Sequence, residues 1–245
     1  MFNFGKYFLV AVSLLSGQAS ASVVINRTRL VYPSDESSVS VQLLNKSRTV
    51  HLVQAWIDDG NPQSRPEDVH APFIVSPPVV KIDGEGGQTL KVLLTGSSSK
   101  LPQDRESVFW LNVLDVPPMP DKHGSNYMQV ALRNRIKLFW RPAGLSIAVD
   151  DIPKYVALSR GADGKACINN KSPYYLTIVQ IMRWDGKSYT PQKGRVTDNF
   201  LKKAVFVPPF SCTTPEEIRG NLSSGTYQMV RIDDYGSKVP SVAKF

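Results

Sequence analysis

Four cations crowd into the stretch VALRNRIKLFWRP (130–142). Successive side chains of an extended chain point to opposite faces. Arg133, Arg135, Lys137 and Arg141 therefore share one face, and Val130, Leu132, Ile136 and Leu138 share the other. One face asks for a core; the other asks for water or negative charge. Arg27 and Arg29 lie in a second strand-like run, VINRTRLVY (24–32). Most of these charges read as solvated faces. Lys137 and Arg141, however, come where the chain turns at RPAG (141–144), and cations converging on a cleft at such a bend make an anion site.

Catalytic patterns are missing. The chain has no GxSxG, HExxH, Walker loop or GxGxxG. Ser97 and Lys100 form an S-x-x-K in a Gly/Ser turn, without the helix that would aim a nucleophile. His51, His70 and His123 are scattered and lack ligand spacing, so no metal site is expected. DGEGG (83–87) reads as a hairpin turn, because no helix follows to cradle a phosphate. The sequons at Asn26, Asn45, Asn170 and Asn221 carry no assignment.

The elements that must hold these residues are strands. Val39, Val41 and Leu43 alternate with polar neighbours, as do Leu90, Val92 and Leu94, and SVFWLNV (107–113) is dense in aromatic and β-branched residues. Turn clusters such as SDESS and GADGK separate them, and the bend at RPAG divides the chain into two parts. Each part has the size of an immunoglobulin-like sandwich of about 100 residues. The expected fold is all-β: two immunoglobulin-like β-sandwich domains, 22–143 and 144–245, behind a signal peptide at 1–21. That leader begins with one cation, Lys6, runs apolar from Tyr7 to Leu15 and closes with Ala19-Ser20-Ala21. The run is too short for a membrane span of about 20 residues and reads as an export signal.

Export sets the remaining expectations. The chain carries 29 Lys+Arg against 21 Asp+Glu; losing Lys6 leaves 28 against 21, a basic product that attracts acidic partners. No nucleic-acid-binding signature is present. In an oxidising compartment the two cysteines, Cys167 and Cys212, read as one structural disulfide, for which chain entropy credits about 4 kcal/mol at most. In NYMQVAL (126–132), Asn126, Met128, Val130 and Leu132 share a face. By pattern alone this is an ordinary sandwich strand with that face buried. The functional alternative is an edge strand held open for a partner.

Several stretches together resemble a known family: NRTRLVY, LVQAWID, PFIVSPPVVKID, KLPQDRESVFWLNVLDVPP, MQVALRNRIKLFWRP, SPYYLTI and RIDDYG. They run in family order through both halves, and the chain resembles the periplasmic pilus chaperones of the PapD type. The resemblance implies a two-domain boomerang in the periplasm that binds newly exported pilus subunits and hands them to an outer-membrane usher. The subunit, a sandwich lacking its last strand, would receive the G strand of the chaperone at Asn126, Met128, Val130 and Leu132 as donor. Arg29 and Lys137 would grip its C-terminal carboxylate, and Glu106, Arg141 and Asp234 would form an ionic cluster between domains. The short loop before the G strand, without a flanking cysteine pair, resembles the short-loop branch, whose members usually assemble rod-like pili. Family members often read NPTPYY where this chain reads NKSPYY, with Lys171 and Ser172 as a turn variation.

No cofactor, catalysis, nucleic acid or small-molecule substrate is implied. Open edges would also let the free chaperone cap itself by self-association. A rival of another class is an exported sandwich binding carbohydrate or a cell surface through aromatics such as Trp184 and Tyr189. It would leave Arg29 and Lys137 without a shared task.

Overall fold

Alternating apolar residues build sixteen strands in the computed structural model, which describes residues 23–119, 127–187 and 199–245. The expected leader, Asn126, His123 and Tyr189 lie outside the described residues.

The first sandwich contains β1 (Val23–Ile25), β2 (Arg29–Pro33), β3 (Ser38–Asn45), β4 (His51–Asp58), β5 (Phe73–Ser76), β6 (Val79–Ile82), β7 (Gly87–Leu94), β8 (Ser107–Val116) and β9 (Leu132–Arg141). Its sheets have the orders β1-β3-β7-β5 and β2-β9-β8-β4-β6. Val41, Leu90, Val92, Leu111 and Leu138 meet between them, fully buried, as their alternation requires. The second sandwich contains β10 (Val156–Arg160), β11 (Ala166–Asn170), β12 (Leu176–Arg183), β13 (Val205–Val207), β14 (Ser211–Thr213), β15 (Thr226–Ile232) and β16 (Lys238–Lys244). Its sheets are β10-β11-β14 and β13-β12-β15-β16, packed around a separate core of Ile168, Ile178, Ile181, Val207 and Tyr227. Cys167 and Cys212 are bonded and tie β11 to β14, with Cα atoms 5.5 Å apart.

Three expectations change. The run 24–32 is two strands, because the chain leaves one sheet after Ile25 and joins the other at Arg29; Arg27 is exposed in the crossing. DGEGG is a crossing as well, since β6 pairs with β4 while β7 pairs with β3 and β5. Gly84 is needed there: a Cβ would stand 2.3 Å from the Arg48 carbonyl oxygen. Finally, regular pairing of the last strand begins at Leu132, so residues 127–131 are not in a strand.

Candidate anion-binding cleft and open strand

The two faces of β9 behave differently along its length. Leu138 is 0% exposed in the core, yet Leu132 is 51% exposed, and ahead of it Val130 is 56% and Met128 84% exposed. The apolar face thus leaves its own sandwich halfway along. The edge is open over the same residues. β8 pairs with β9 from Leu132 to Trp140, whereas β2 runs beside it, parallel, only from Lys137 to Arg141. Among the described residues no strand pairs with the other side of Leu132–Ile136.

The cationic face meets a different partner at each step. Arg133 donates to the Pro62 carbonyl and lies over the Trp56 ring, 5.6 Å from its centroid. Arg135 grips the buried Asp58 with two bonds, Nε to Oδ2 at 2.9 Å and Nη2 to Oδ1 at 2.5 Å, and covers Trp110. Asn112 Nδ2 and Gly60 N–H add bonds to the same carboxylate. Burial works against this charge, but these donors outweigh it and hold Asp58 below the usual carboxylate range. Arg135 is therefore a paired charge rather than the solvated one that the sequence suggests.

Arg141 is also spoken for. Its Nε donates to Glu106 Oε1 at 2.8 Å, and Nη1 and Nη2 clamp Asp234 at 2.8 and 3.0 Å. Glu106 Oε2 accepts the Tyr175 N–H at 2.8 Å. The cluster joins the residue before β8 and the end of β9 in the first sandwich to the turn after β15 of the second. Burial pushes the Glu106 carboxyl up while Arg141 pulls it back, and the two carboxylates raise Arg141 against its own desolvation. A guanidinium committed in this way is not free for an outside anion, so the pairing of Lys137 with Arg141 suggested by the bend is replaced.

The structure instead puts Arg29 beside Lys137, as register partners on β2 and β9. Arg29 is 9% exposed; its Nη1 donates to the Ile232 carbonyl of the second sandwich at 3.3 Å, and its Nε is buried with no partner. Burial lowers its affinity for its proton against the pull of Asp234, Asp233 and Glu106. Lys137 is lowered by burial, then by Arg29 and Arg135. Among the described residues neither side chain forms an ion pair, although Lys137 Nζ stands 4.5 Å from the centroid of the Phe206 ring. Two adjacent, desolvated cations outside any direct ion pair are chemically a site for a carboxylate.

Sequence reasoning missed the aromatic contribution. Phe139, on the cationic face between Lys137 and Arg141, lies 5.9 Å from Tyr175, which stacks on Phe206 at 5.0 Å. It also missed His51, whose Nδ1 is 2.6 Å from the buried Asp115 Oδ1. The signal for Phe139 was its parity with the cations; for His51 it was its place at a strand end. Trp184 is 41% exposed, but its indole donates to the Lys187 carbonyl in its own loop. No helix among the described residues is long and apolar enough to cross a membrane, and no cluster of metal-ligating side chains occurs among them.

Known proteins share this sequence pattern and fold. Residues 22–146 match the family model "Pili and flagellar-assembly chaperone, PapD N-terminal domain", and residues 151–243 match "Pili assembly chaperone PapD, C-terminal domain". The chain is 37% identical over 234 residues to the chaperone protein HifB of Haemophilus influenzae, covering 94% of this chain and 90% of that protein. It is 36% identical over 244 residues to the probable fimbrial chaperone YadV of Escherichia coli K12, covering 96% and 94%. The crystal structure of the Pseudomonas aeruginosa CupB2 chaperone superposes with a TM-score of 0.70 at 30% identity, covering 91% of this chain and 100% of that one.

Proposed function

The chain belongs to the PapD-type pilus-assembly chaperones, and from that premise we propose how its own residues perform the task. It is a non-enzymatic chaperone that binds pilus subunits by donor-strand complementation. The open stretch ending in β9 supplies the strand: Met128, Val130 and Leu132, with Asn126 ahead of them, enter the subunit's unfilled groove. Arg29 and Lys137 receive the subunit's C-terminal carboxylate and so fix the register of the pairing. Glu106, Arg141 and Asp234 hold the two domains, 22–143 and 144–245, at the angle the cleft requires. Residues 1–21 direct the chain to the periplasm, where it passes subunits to an outer-membrane usher. The short loop 114–125 before the G strand, without a flanking cysteine pair, fits the short-loop branch. The same open edge lets free copies cap one another.

One observation carries this reading: apolar side chains more than half exposed continue a face whose other end is fully buried. A sandwich strand serving only its own core would bury both ends. Replacing Val130 and Leu132 together by Ser should change the free chaperone's melting temperature little, because both are already more than half exposed. Complexes with a subunit should lose about 2–5 kcal/mol, measured by titration calorimetry. An unfolded variant, or undiminished capture by a folded one, would overturn the donor role.

A further inference from the structure

All four cations on one face of β9 lie over aromatic rings, but Arg133 also donates to a carbonyl and two of the others are also held by carboxylates, while Lys137 has its ring alone. Arg135 and Arg141 are held by carboxylates, Asp58 for the first and Glu106 with Asp234 for the second. Lys137 lies between them in sequence and is held by a ring. The difference matters chemically. A carboxylate neutralises its partner, occupies its N–H donors and competes with any incoming carboxylate. An aromatic face attracts the ammonium through the ring quadrupole without neutralising it and without accepting strong hydrogen bonds.

The ring is itself fixed. Phe206 sits on β13, where it is the register partner of Thr177 on β12. It stacks on Tyr175 with an interplanar angle of 11°, and both approach the buried Phe139. Three aromatics from both sandwiches therefore define where the ammonium rests, and the flexible lysine chain adapts to them. Among the described residues the Lys137 ammonium has no hydrogen-bond or ion-pair partner, so its N–H donors remain for a guest.

We infer that Phe206, backed by Tyr175, is a positioning residue: its ring holds the Lys137 ammonium in place in the cleft while keeping it available to a subunit carboxylate. The inference rests on the carboxylate reading given above. It makes the anchor a two-domain site, because Phe206 comes from the second sandwich and Lys137 from the first.

The test uses the full mature chaperone and two readouts. The first is the titration midpoint of Lys137, followed by NMR with lysine labelled at Cε and assigned with Lys137→Arg. The second is the affinity for a peptide copying a subunit's C-terminal strand, compared as free acid and as amide. Phe206→Leu should lower the midpoint by about half a pH unit or more, since the ring favours the charged form. It should reduce the preference for acid over amide about three- to thirtyfold. Phe206→Trp should restore both. Phenylalanine bearing three ring fluorines at position 206 keeps the shape but strips the negative face, so it should behave like Leu even if Phe206→Leu does not fold. An unchanged Lys137 midpoint in the fluorinated protein would overturn the positioning role alone. Equal binding of acid and amide by the wild type, with the midpoint falling as expected, would overturn the carboxylate reading and the role of Phe206 in it.

Discussion

Each sandwich turns on the same three residues, Asn-Lys-Ser, at the end of a central strand. In the first, Asn45 donates to the Thr49, Ile82 and Asp83 carbonyls and accepts from Ser47 N–H and Oγ. In the second, Asn170 donates to the Tyr174 and Pro208 carbonyls and accepts from Ser172 N–H and Oγ. The match extends to the segment that crosses between sheets. Glu85 N–H donates to the Ser47 carbonyl and Phe210 N–H to that of Ser172, and these two alone among described non-glycine residues have positive φ, 59° and 50°. The frames are alike, but their final strands differ. In the second sandwich β15 and β16 pair over their whole length, and the Cys167–Cys212 bond ties β14 to β11. In the first, the chain ahead of β9 leaves its apolar residues in water. One frame thus pairs its last strand along its whole length and the other leaves the approach to its last strand exposed, and the difference lies in one strand rather than in the architecture.

Breaking the joint between the two should have the largest effect. Arg141→Ala leaves Glu106 buried without its counterion, a loss of about 3–5 kcal/mol. Calorimetry should then show the sandwiches melting as two separate transitions. A single transition at the wild-type temperature would mean that the cluster is dispensable. The shared corners come next. Asn45→Ala and Asn170→Ala each strand buried carbonyls and a turn N–H, at a cost of about 2–3 kcal/mol. Each should destabilise its own sandwich only, as read by amide hydrogen exchange. Asn45, with one more bond, should cost slightly more; a loss spread over both domains would break the equivalence.

The frame was legible because period-two alternation writes buried faces directly into residue order, as Val39, Val41 and Leu43 do. The corners were not: NKS reads locally as a common sequon, and only the carbonyls brought in from 37 and 38 positions away make Asn45 a buried hub. Charges misled for a similar reason. Parity put Arg135 and Arg141 on one face with Lys137, but the counterions Asp58, Glu106 and Asp234 lie 77, 35 and 93 residues away, and alternation is silent about them. Of the site, the resemblance named Arg29 and Lys137. Phe206 could not be found without the contact between sandwiches.

The smallest expected effect, and the one that best separates the domains, is their response to acid. The first sandwich contains Asp58, a buried carboxylate held below its ordinary range by Arg135 and Asn112 after burial has worked against it. In the second sandwich, Glu217 is lowered too, but it is exposed to solvent with Lys203, where salt and water screen the pair. The sign follows from linkage. A carboxyl with a lower pKa in the folded state adds stability above its unfolded value, near 4, and that contribution is lost as pH falls through the folded value. Acid should therefore weaken the first sandwich before the second. Fluorescence is suited to the measurement, because Trp56, Trp110 and Trp140 lie in the first sandwich and only Trp184 in the second. Asp58→Asn should lower the first domain's stability at pH 7, and the gap from wild type should narrow towards pH 3. A gap that stays constant with pH would mean that the Asp58 charge contributes nothing, and that packing around Trp110 and Arg135 accounts for the whole difference.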